Sequence, residues 1–446
     1  MKKVLILGAG FVVKPIVNYL LQHGFYVTIA SPMKPRADEI LQNHPNGIAI
    51  DWSMEDTDRL DEMVMDHDLT VSLLPYVFHL QVAHVCLKHK KNMVTTSYVK
   101  PEMQALNEEA KTAGIIILNE VGLDPGLDHM SAMRIIDKIH EKGGKVDEFY
   151  SICGALPAPE AANNPFKYKF SWSPKGVIMA GNNDAKYLHN GKVVDIPTEK
   201  LFHNPTKIKF DTVGEMDVYP NRDSISYIEI YGIPEAKTMY RGTIRYPGWC
   251  ETIDAMKQLG MIGYEKYHLE GMSYADLTAL LISSVKTDNI REQVAKKLGL
   301  DVESQAINAM DWLGLFDTEK MNRQIDSPFD VTSDLMIGKM ALGNNERDMV
   351  LMQHLFKASY PDGTSEVIRS LMLDYGTPAT DTSIARTVAL PAAIAVELIL
   401  NERIQTKGIC RPTIPEIYQP ILDKLDGLDI KMVEEYGLPV ADSIFF

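Results

Sequence analysis

Short apolar runs alternate with amphipathic stretches through the first quarter of the chain. The apolar runs are bounded by turn-forming residues and predict strands at Val4–Leu7, Tyr26–Ala30, Ile48–Ile50, Leu69–Leu74, Asn92–Thr95 and Ile115–Leu118. The stretches between them have helical spacing and predict helices at Lys14–His23, Val77–Lys90 and Pro101–Ala113. Strand–helix alternation at this spacing predicts a parallel sheet with helices on both faces.

From about Lys145 the pattern changes, because aromatic residues, prolines and glycines become frequent. Long loops, which often carry binding residues, separate predicted strands at Phe149–Cys153, Ile225–Tyr231 and Met239–Tyr246. Helical periodicity then predicts a small helical subdomain over 251–317, with helices at Tyr274–Val285, Ile290–Leu298 and Ser304–Leu315. The apolar run Thr387–Ile399 predicts a buried helix that packs against the first domain, since it is too short and too interrupted for a membrane span.

Composition and charge narrow the class of protein. The chain has 446 residues, of which 45% are hydrophobic and 24% charged, as in an ordinary globular protein of two or three domains. Its formal net charge of -15 would repel a phosphate backbone, so we expect no nucleic-acid partner. An anionic substrate would therefore need specific arginines.

The cysteines and the N-terminus predict a cytoplasmic protein. Four widely spaced cysteines form no CxxC pair, which argues against a disulfide framework and against a metal site. The start MKKVLILGAG superficially resembles a secretory signal, but its short apolar run ends in glycines and is better explained as a buried strand. We therefore expect no membrane partner.

A glycine-rich turn follows the first predicted strand. Gly8, Ala9, Gly10, Phe11 and Val12 open the first helix, where one glycine permits a tight turn and the other lets the backbone approach a pyrophosphate. The third glycine of the usual GxGxxG motif is replaced by Val13, so the motif is incomplete. Its position in a βαβ array still predicts a dinucleotide site, with a ligand-free turn as the alternative.

Cofactor choice depends on the end of the second strand. That strand ends at Ser31 with no acidic residue to hold a ribose, whereas Lys34 and Arg36 follow and could meet a 2′-phosphate or remain solvated. Asp51, after the third strand, is positioned to reach the adenine side. These residues by themselves slightly favour NADP over NAD as the cofactor.

Several long motifs carry a family resemblance. They are LLPYVFH (Leu73–His79), TTSYVKP (Thr95–Pro101), GLDPGLDHM (Gly122–Met130), Leu156–Val177, YPNRDS (Tyr219–Ser224) and RGTIRY (Arg241–Tyr246). Together they resemble the glutamate-forming saccharopine dehydrogenases over nearly the whole chain. The resemblance is greatest to the catabolic type, which in animals is fused behind a lysine–ketoglutarate reductase that we do not expect in this chain.

The resemblance implies an α/β fold and its domains. A Rossmann domain with a parallel sheet is expected at 1–125, and a mixed α/β substrate domain at 126–250 and about 318–385. A small helical subdomain is expected at 251–317, and 386–446 would return to the Rossmann domain. A homodimer is expected, because dimers are common for such enzymes.

The resemblance also implies a reaction. Saccharopine would be oxidised with NAD(P)+ and water to L-glutamate and 2-aminoadipate 6-semialdehyde, reversibly, in lysine metabolism. The end of the second strand has Pro32 where the family tends to carry an arginine for NADP or an acid for NAD. The closer match to the catabolic branch favours NAD, with NADP as the alternative.

Site residues follow from the same motifs. By resemblance, the residues expected to bind saccharopine are Ser97, Tyr98, Asp124, Arg222, Thr243, Ile244 and Arg245. Those expected to line the nicotinamide are Leu74, Thr96, Leu123 and Pro125.

The chemistry of the substrate suits these residue types. Arginine can bond two carboxylate oxygens at once, although structural pairs with Asp217 or Asp223 are the alternative for Arg222 and Arg245. Because the secondary amine must lose protons, a nearby acid–base group is useful. The candidates for this acid–base group are Asp124, Tyr98 and Cys153. Alternatively, Asp124 could cap the next helix, Tyr98 could be a core aromatic residue, and Cys153 could be a small buried apolar residue. His129 is a weaker candidate, because it is more simply explained as a helix-surface residue.

Two other functions remain open. A carboxynorspermidine-type or other opine-like imine reductase would use the same scaffold but would lack the full set of arginines. A non-catalytic nicotinamide-binding regulator would keep Gly8 and Gly10 without needing the TTSY, LDPG and YPNRDS motifs.

Overall fold

The structure is a computed structural model that describes residues 1–441 and 445. The chain forms two compact units. The first contains Met1–Val146 and Ala358–Leu438, and the second contains Asp147–Lys357 with the described residues of Pro439–Phe446.

Strands and helices alternate regularly up to residue 141. In chain order these elements are β1 (Lys3–Leu7), α1 (Val13–Gln22), β2 (Tyr26–Ser31), α2 (Lys34–Leu41), β3 (Gly47–Asp51), α3 (Thr57–Asp66), β4 (Leu69–Ser72), a 3-10 turn (Tyr76–Phe78), α4 (His79–His89), β5 (Asn92–Thr95), α5 (Pro101–Gln104), α6 (Asn107–Ala113), β6 (Ile116–Leu118) and α7 (Leu127–Glu141).

Longer strands and short helices follow. They are β7 (Lys145–Pro157), a 3-10 turn (Pro159–Ala161), α8 (Pro174–Ala180), β8 (Ala185–His189), β9 (Lys192–Ile196), a 3-10 turn (Thr198–Lys200), β10 (Thr206–Phe210), β11 (Gly214–Pro220), β12 (Arg222–Asp223), α9 (Ser226–Ile230), β13 (Thr238–Arg245), α10 (Trp249–Gln258), β14 (Tyr267–His268), α11 (Tyr274–Leu281), α12 (Ile290–Leu298), α13 (Gln305–Leu313), β15 (Ile325–Asp326), α14 (Pro328–Lys339) and β16 (Asp348–Ser359). The chain ends with β17 (Ser365–Tyr375), α15 (Ser383–Leu400), β18 (Gly408–Cys410), α16 (Pro415–Asp426) and β19 (Val433–Leu438).

The first unit is built on a seven-stranded sheet in the order β18-β6-β5-β4-β1-β2-β3. Every neighbouring pair is parallel, and Val4 of β1 pairs with Val27 on one side and Leu69 on the other. The central strands are buried on both faces, which explains why they read as continuous apolar runs. The predicted α/β fold with an N-terminal Rossmann sheet is confirmed.

The apolar helix near the C-terminus belongs to this unit, where α15 packs on α1, β5 and α16. By length and composition it could cross a membrane, with a mean hydropathy of 1.7, but 78% of it is buried inside the protein. Burial of this extent is typical of the core helix of a globular domain.

The second unit is built on strands in the order β10-β11-β13-β7-β16, with β8 pairing to β13, β9 and β12. Strand β13 lies parallel to β7 and antiparallel to β11, so its residues are in the middle of a mixed sheet. The predicted strand Ile225–Tyr231 is wrong, because Ser226–Ile230 is the helix α9. The Asp223 carboxylate accepts a hydrogen bond from Ile225 N (2.8 Å), and the Tyr227 and Tyr231 rings pack one turn apart (5.5 Å).

The two units differ from the finer division expected from the sequence. Residues 126–146 and 358–385 fall in the first unit rather than with a substrate domain. The physical reason is that α7 packs on α16, and β17 pairs with β19. Residues 251–317 contain most of α10 and all of α11, α12 and α13, and their treatment as a separate subdomain stays a prediction.

Candidate functional site

The glycine-rich turn lies at the carboxyl edge of the first sheet, between the ends of β1 and β4. Gly8 has a φ of +110°, and a Cβ there would come 3.1 Å from the Leu73 carbonyl oxygen. A Cβ on Gly10 would instead project into open space. Helix α1 begins directly after, with no side-chain cap at Val12 and no acidic residue in its first turn. The turn therefore fits a pyrophosphate, which needs close backbone approach and a helix N-terminus.

The side chain of Arg36 contacts the glycine-rich turn. Arg36 Nε donates to the Ala9 carbonyl oxygen (2.8 Å), and its guanidinium lies 5.7 Å from the centre of the exposed Phe11 ring. Lys34 is instead paired with Asp38 (2.6 Å). Of these two cationic side chains, Arg36 is the one that contacts the glycine-rich turn.

The other predicted cofactor residues lie at the same edge. Ser31 ends β2, buried, and pairs in register with the exposed Asp51 at the end of β3. Leu74 follows β4 and Thr96 follows β5, while Leu123 and Pro125 lie in the loop after β6. Because parallel strands place their carboxyl ends together, one edge gathers residues that are far apart in sequence.

The loop after β6 holds Asp124 against Tyr98. The Tyr98 hydroxyl donates to Asp124 Oδ1 (3.0 Å), and both side chains are half-buried. At the start of the following helix, the N–H groups of Leu127 and Asp128 donate to the backbone carbonyl oxygens of Gly122 and Leu123, and Asp128 Oδ1 accepts from the Gly126 N–H (2.6 Å). Gly126 has a φ of +145°, and a Cβ there would lie 2.2 Å from Gly122 N. A tyrosine hydroxyl touching a carboxylate can relay a proton.

The buried His79 contacts two serine hydroxyl groups. His79 Nε2 lies 2.8 Å from Ser97 Oγ, and His79 Nδ1 lies 2.8 Å from Ser72 Oγ. Burial lowers the pKa of His79 to about 4, so the imidazole is neutral at pH 7. A neutral imidazole can orient the Ser97 hydroxyl without adding charge.

A buried charged cluster lies beneath these loops. The Glu120 carboxylate contacts His129 Nε2 (2.9 Å) and Arg411 Nε (2.9 Å), and His129 Nδ1 lies 3.5 Å from Asp128 Oδ2. Burial alone raises the pKa of Glu120, but the hydrogen bond and charge of His129 and the charge of Arg411 outweigh it, and the pKa falls to about 2. His129 is fully buried, so the helix-surface interpretation of it is wrong.

The second unit buries a guanidinium among aromatic rings. The carbon centre of the Arg245 guanidinium lies 5.0 Å from the Tyr168 ring, 5.6 Å from Trp249 and 6.0 Å from Tyr219. Its Nη1 donates to the Ile244 carbonyl oxygen (2.8 Å), whereas its Nε has no hydrogen-bond partner among the described residues. Ring faces stabilise a cation here but do not neutralise it.

Arg245 does not form the structural ion pair with Asp217 that was the alternative to substrate binding. Asp217 lies opposite Arg245 in the β11–β13 register, yet within the described part of the chain no ion pair joins them. The pKa of Asp217 is raised, mainly by burial. The charge of Arg245 is thus left for another anion.

Neighbouring positions of β13 share the Arg245 face. Residues of a strand alternate, so Arg241 and Thr243 lie on that face and the fully buried Ile244 side chain on the other. Cys153 of β7 pairs in register with Thr243 and is buried. The Arg241 guanidinium, also buried, lies 4.3 Å from the Tyr227 ring.

Arg222 is placed differently from Arg245. It is exposed, has a φ of +50°, and forms the short strand β12 paired with β8. Thus Ser97, Tyr98 and Asp124 form one group in the first unit, and Arg222, Thr243, Ile244, Arg245 and Cys153 lie in the second.

Sequence reasoning missed four residues: Glu120, His79, Arg411 and Arg241. Asn119 and Glu120 form a polar pair directly after an apolar strand, a signal that could have identified Glu120. Arg411 gave no such signal, because only β18 brings it beside β6. Among residues 1–441 and 445, no cluster of three or more histidine, cysteine or acidic side chains could hold a metal ion.

Comparison with protein families identifies both parts of the chain. Residues 4–118 match the family model described as "Saccharopine dehydrogenase NADP binding domain", and residues 122–430 match "Saccharopine dehydrogenase C-terminal domain". The chain belongs to the saccharopine dehydrogenase family.

Members of this family from yeasts match along their full length. The chain is 37% identical to "Saccharopine dehydrogenase [NADP(+), L-glutamate-forming]" of Schizosaccharomyces pombe, covering 98% of this chain and 99% of that protein. The solved structure "Apo histidine-tagged saccharopine dehydrogenase (L-Glu forming) from Saccharomyces cerevisiae" has 34% identity and a TM-score of 0.90, covering 99% of this chain and 100% of that one.

A longer relative matches over part of its length. The chain is 38% identical to "Alpha-aminoadipic semialdehyde synthase, mitochondrial" of Bos taurus, covering 95% of this chain but 46% of that protein. The chain thus spans about half of this relative.

Proposed function

We propose that this chain is an oxidoreductase that converts saccharopine and water to L-glutamate and 2-aminoadipate 6-semialdehyde, with NADP+ as the hydride acceptor. The observation that carries the proposal is the Arg245 guanidinium, which is buried among aromatic rings and paired with no carboxylate in the described residues. Burying a charge is costly unless a partner arrives. A substrate carboxylate would supply that partner and bond two guanidinium nitrogens.

The chemistry also needs proton transfer at the secondary amine. A protonated amine cannot release hydride from the adjacent carbon, so the nitrogen must first be neutral. Tyr98 and Asp124 share a hydrogen bond (3.0 Å), and we propose that they take this proton and then assist water attack on the imine. Cys153 stays a weaker candidate, because a buried cysteine is more often a small apolar residue than an acid–base group. The nicotinamide supplies the hydride acceptor, and the protein positions the substrate and moves protons.

NADP is proposed over the NAD expected from the sequence. No acid follows β2, Arg36 reaches the glycine-rich turn at Ala9, and the matching domain family and yeast relatives are named for NADP. A permanently charged guanidinium there would favour a 2′-phosphate.

Relatives named for saccharopine chemistry cover nearly all of this chain, which supports the same substrate here. The alternatives, an opine-like imine reductase and a non-catalytic regulator, are not favoured. A cytoplasmic location and a homodimer, expected from the sequence, remain proposals.

The test is a set of initial rates with saccharopine and either NADP+ or NAD+, followed by absorbance of the reduced cofactor. Glutamate and semialdehyde should form in equal amounts, and kcat/KM should be on the order of 10-fold higher with NADP+, which corresponds to ~1.4 kcal/mol. Arg36→Gln should reduce this preference, whereas Arg59→Gln, which breaks an exposed ion pair with Glu62, should not.

Two results would overturn the proposal. Turnover of a polyamine-derived imine with no reaction on saccharopine would identify the imine reductase. Cofactor binding in calorimetry without affinity for saccharopine would identify the regulator.

A further inference from the structure

Glu120 has an unusual backbone conformation and contacts the residues next to Tyr98, a member of the proposed proton-transfer pair Tyr98–Asp124. It follows β6, is 1% exposed and has a φ of +59°, a conformation that costs a non-glycine residue ~1 kcal/mol or more. A strained, buried carboxylate persists only when its surroundings hold it in place.

Its hydrogen bonds flank Tyr98 on both sides. The Glu120 N–H donates to the Ser97 carbonyl oxygen (3.1 Å), and Glu120 Oε1 accepts from the Val99 N–H (2.8 Å). These two groups belong to the residues before and after Tyr98. Glu120 therefore fixes the backbone from which the Tyr98 ring extends.

The same carboxylate is tied to the Asp124 loop and to the C-terminal segment. Its Oε2 contacts Nε2 of His129, which lies on α7 just after the Asp124 turn. Its Oε1 accepts from Arg411 Nε (2.9 Å), and the Asn119 N–H donates to the Cys410 carbonyl oxygen (2.9 Å), so the segment after β18 reinforces the site.

We propose that Glu120, held by Arg411 and His129, is a positioning residue that keeps the Tyr98 hydroxyl against Asp124 during proton transfer. This rests on the proposed function. Glu120 contacts neither substrate nor cofactor in this role and acts through Tyr98. Misplacing a reacting group by about 1 Å can reduce turnover on the order of 100-fold.

A double-mutant cycle tests this role with kcat for saccharopine oxidation as the readout. Glu120→Gln should lower kcat by on the order of 10–100-fold, with a smaller change in KM. In a Tyr98→Phe background the same substitution should lower kcat by less than about 3-fold, because its target hydroxyl is gone. Equal effects in both backgrounds would overturn the proposal.

A second variant covers the case in which Glu120→Gln does not fold. Arg411→Gln removes a partly exposed partner and should lower kcat by roughly 3–10-fold, again only when Tyr98 is present. Lys407→Gln, at an exposed position just before β18, is its control and should leave kcat unchanged.

A loss of stability alone would give a different pattern. Glu397 forms a part-buried ion pair with Lys424 elsewhere in the first unit (2.9 Å), so Glu397→Gln should lower Tm without changing kcat. If Glu120→Gln behaves like Glu397→Gln, the positioning role is wrong. If the wild-type protein does not oxidise saccharopine at all, the proposed function fails instead.

Discussion

Each unit contains one buried basic side chain with a distinct electrostatic character. In the second unit, Arg245 is charged and surrounded by tyrosine and tryptophan rings, and no described carboxylate neutralises it. In the first unit, the buried His79 is neutral and contacts the Ser97 hydroxyl. Arg245 is therefore suited to bind a carboxylate, and His79 to orient a hydroxyl group.

Arg245→Lys should raise KM for saccharopine by on the order of 10–100-fold, because an ammonium group cannot bond two carboxylate oxygens in a plane. Steady-state kinetics with saccharopine check this. Arg347→Lys, in a partly exposed ion pair with Glu160, is the control in the same unit and should leave KM unchanged. An unaltered KM for Arg245→Lys would remove Arg245 from the binding site.

Stability should fall as pH decreases from about 6.5 toward 4. Burial lowers the pKa of the His79 imidazole in the folded chain from its ordinary 6.5 to about 4, so in this window the unfolded chain binds more protons than the folded chain. The full difference corresponds to about 3 kcal/mol. His79→Gln should reduce the slope of Tm against pH in this window, and His84→Gln, at an exposed position, should not. A slope independent of His79 would contradict its buried neutral state.

At the level of elements, the proposed cofactor site lies at the edge of the seven-stranded sheet where its parallel strands end. The turns after β1, β4, β5 and β6 all leave the carboxyl edge of one parallel sheet. Their glycines have different roles, because Gly8 meets the backbone of Leu73 whereas Gly10 faces open space. One glycine therefore serves the fold, and the other leaves room for a ligand.

Gly10→Ala should leave Tm nearly unchanged but raise the Kd for NADPH by on the order of 10-fold, since the new methyl group fills the space for the pyrophosphate. Gly8→Ala should instead lower the free energy of unfolding by more than about 1 kcal/mol, because its φ of +110° strains any side chain. Thermal unfolding and calorimetric titration separate the two effects. Equal Kd values for wild type and Gly10→Ala would show that no phosphate approaches this turn.

At the level of the whole molecule, the acidic surface and the reaction impose different requirements. The net charge of -15 repels a tricarboxylate, so recognition depends on individual arginines. The reaction itself depends on the protonation of the substrate nitrogen, which the bulk pH controls.

The rate of saccharopine oxidation should rise from neutral to alkaline pH, and imine reduction should favour lower pH, because only a neutral amine can release hydride. Initial rates in both directions between about pH 6 and pH 10 check this. A flat profile would show that proton removal does not limit the reaction.

Much of the fold was predictable because its physical signals are local. The strand Asn92–Thr95 and the helix Ile290–Leu298 have the predicted bounds, since apolar runs and helical spacing mark buried strands and amphipathic helices. The helix α9 was not predicted, because alternating Ile and Tyr residues satisfy both patterns over so short a segment. The Asp223 carboxylate accepts from the N–H of Ile225 just before this helix, and the Tyr227 and Tyr231 rings pack together along it.

The sequence by itself determined the order of the strands β1 to β6, the glycine-rich turn and the motifs that contain Tyr98, Asp124 and Arg245, because each is encoded within a few consecutive residues. Only the tertiary structure decided that Arg245 has no carboxylate partner, that His129 is buried, and that Arg411 reaches Glu120 across 291 positions of the chain. Burial and pairing depend on which strands become neighbours, and that depends on the packing of the complete chain.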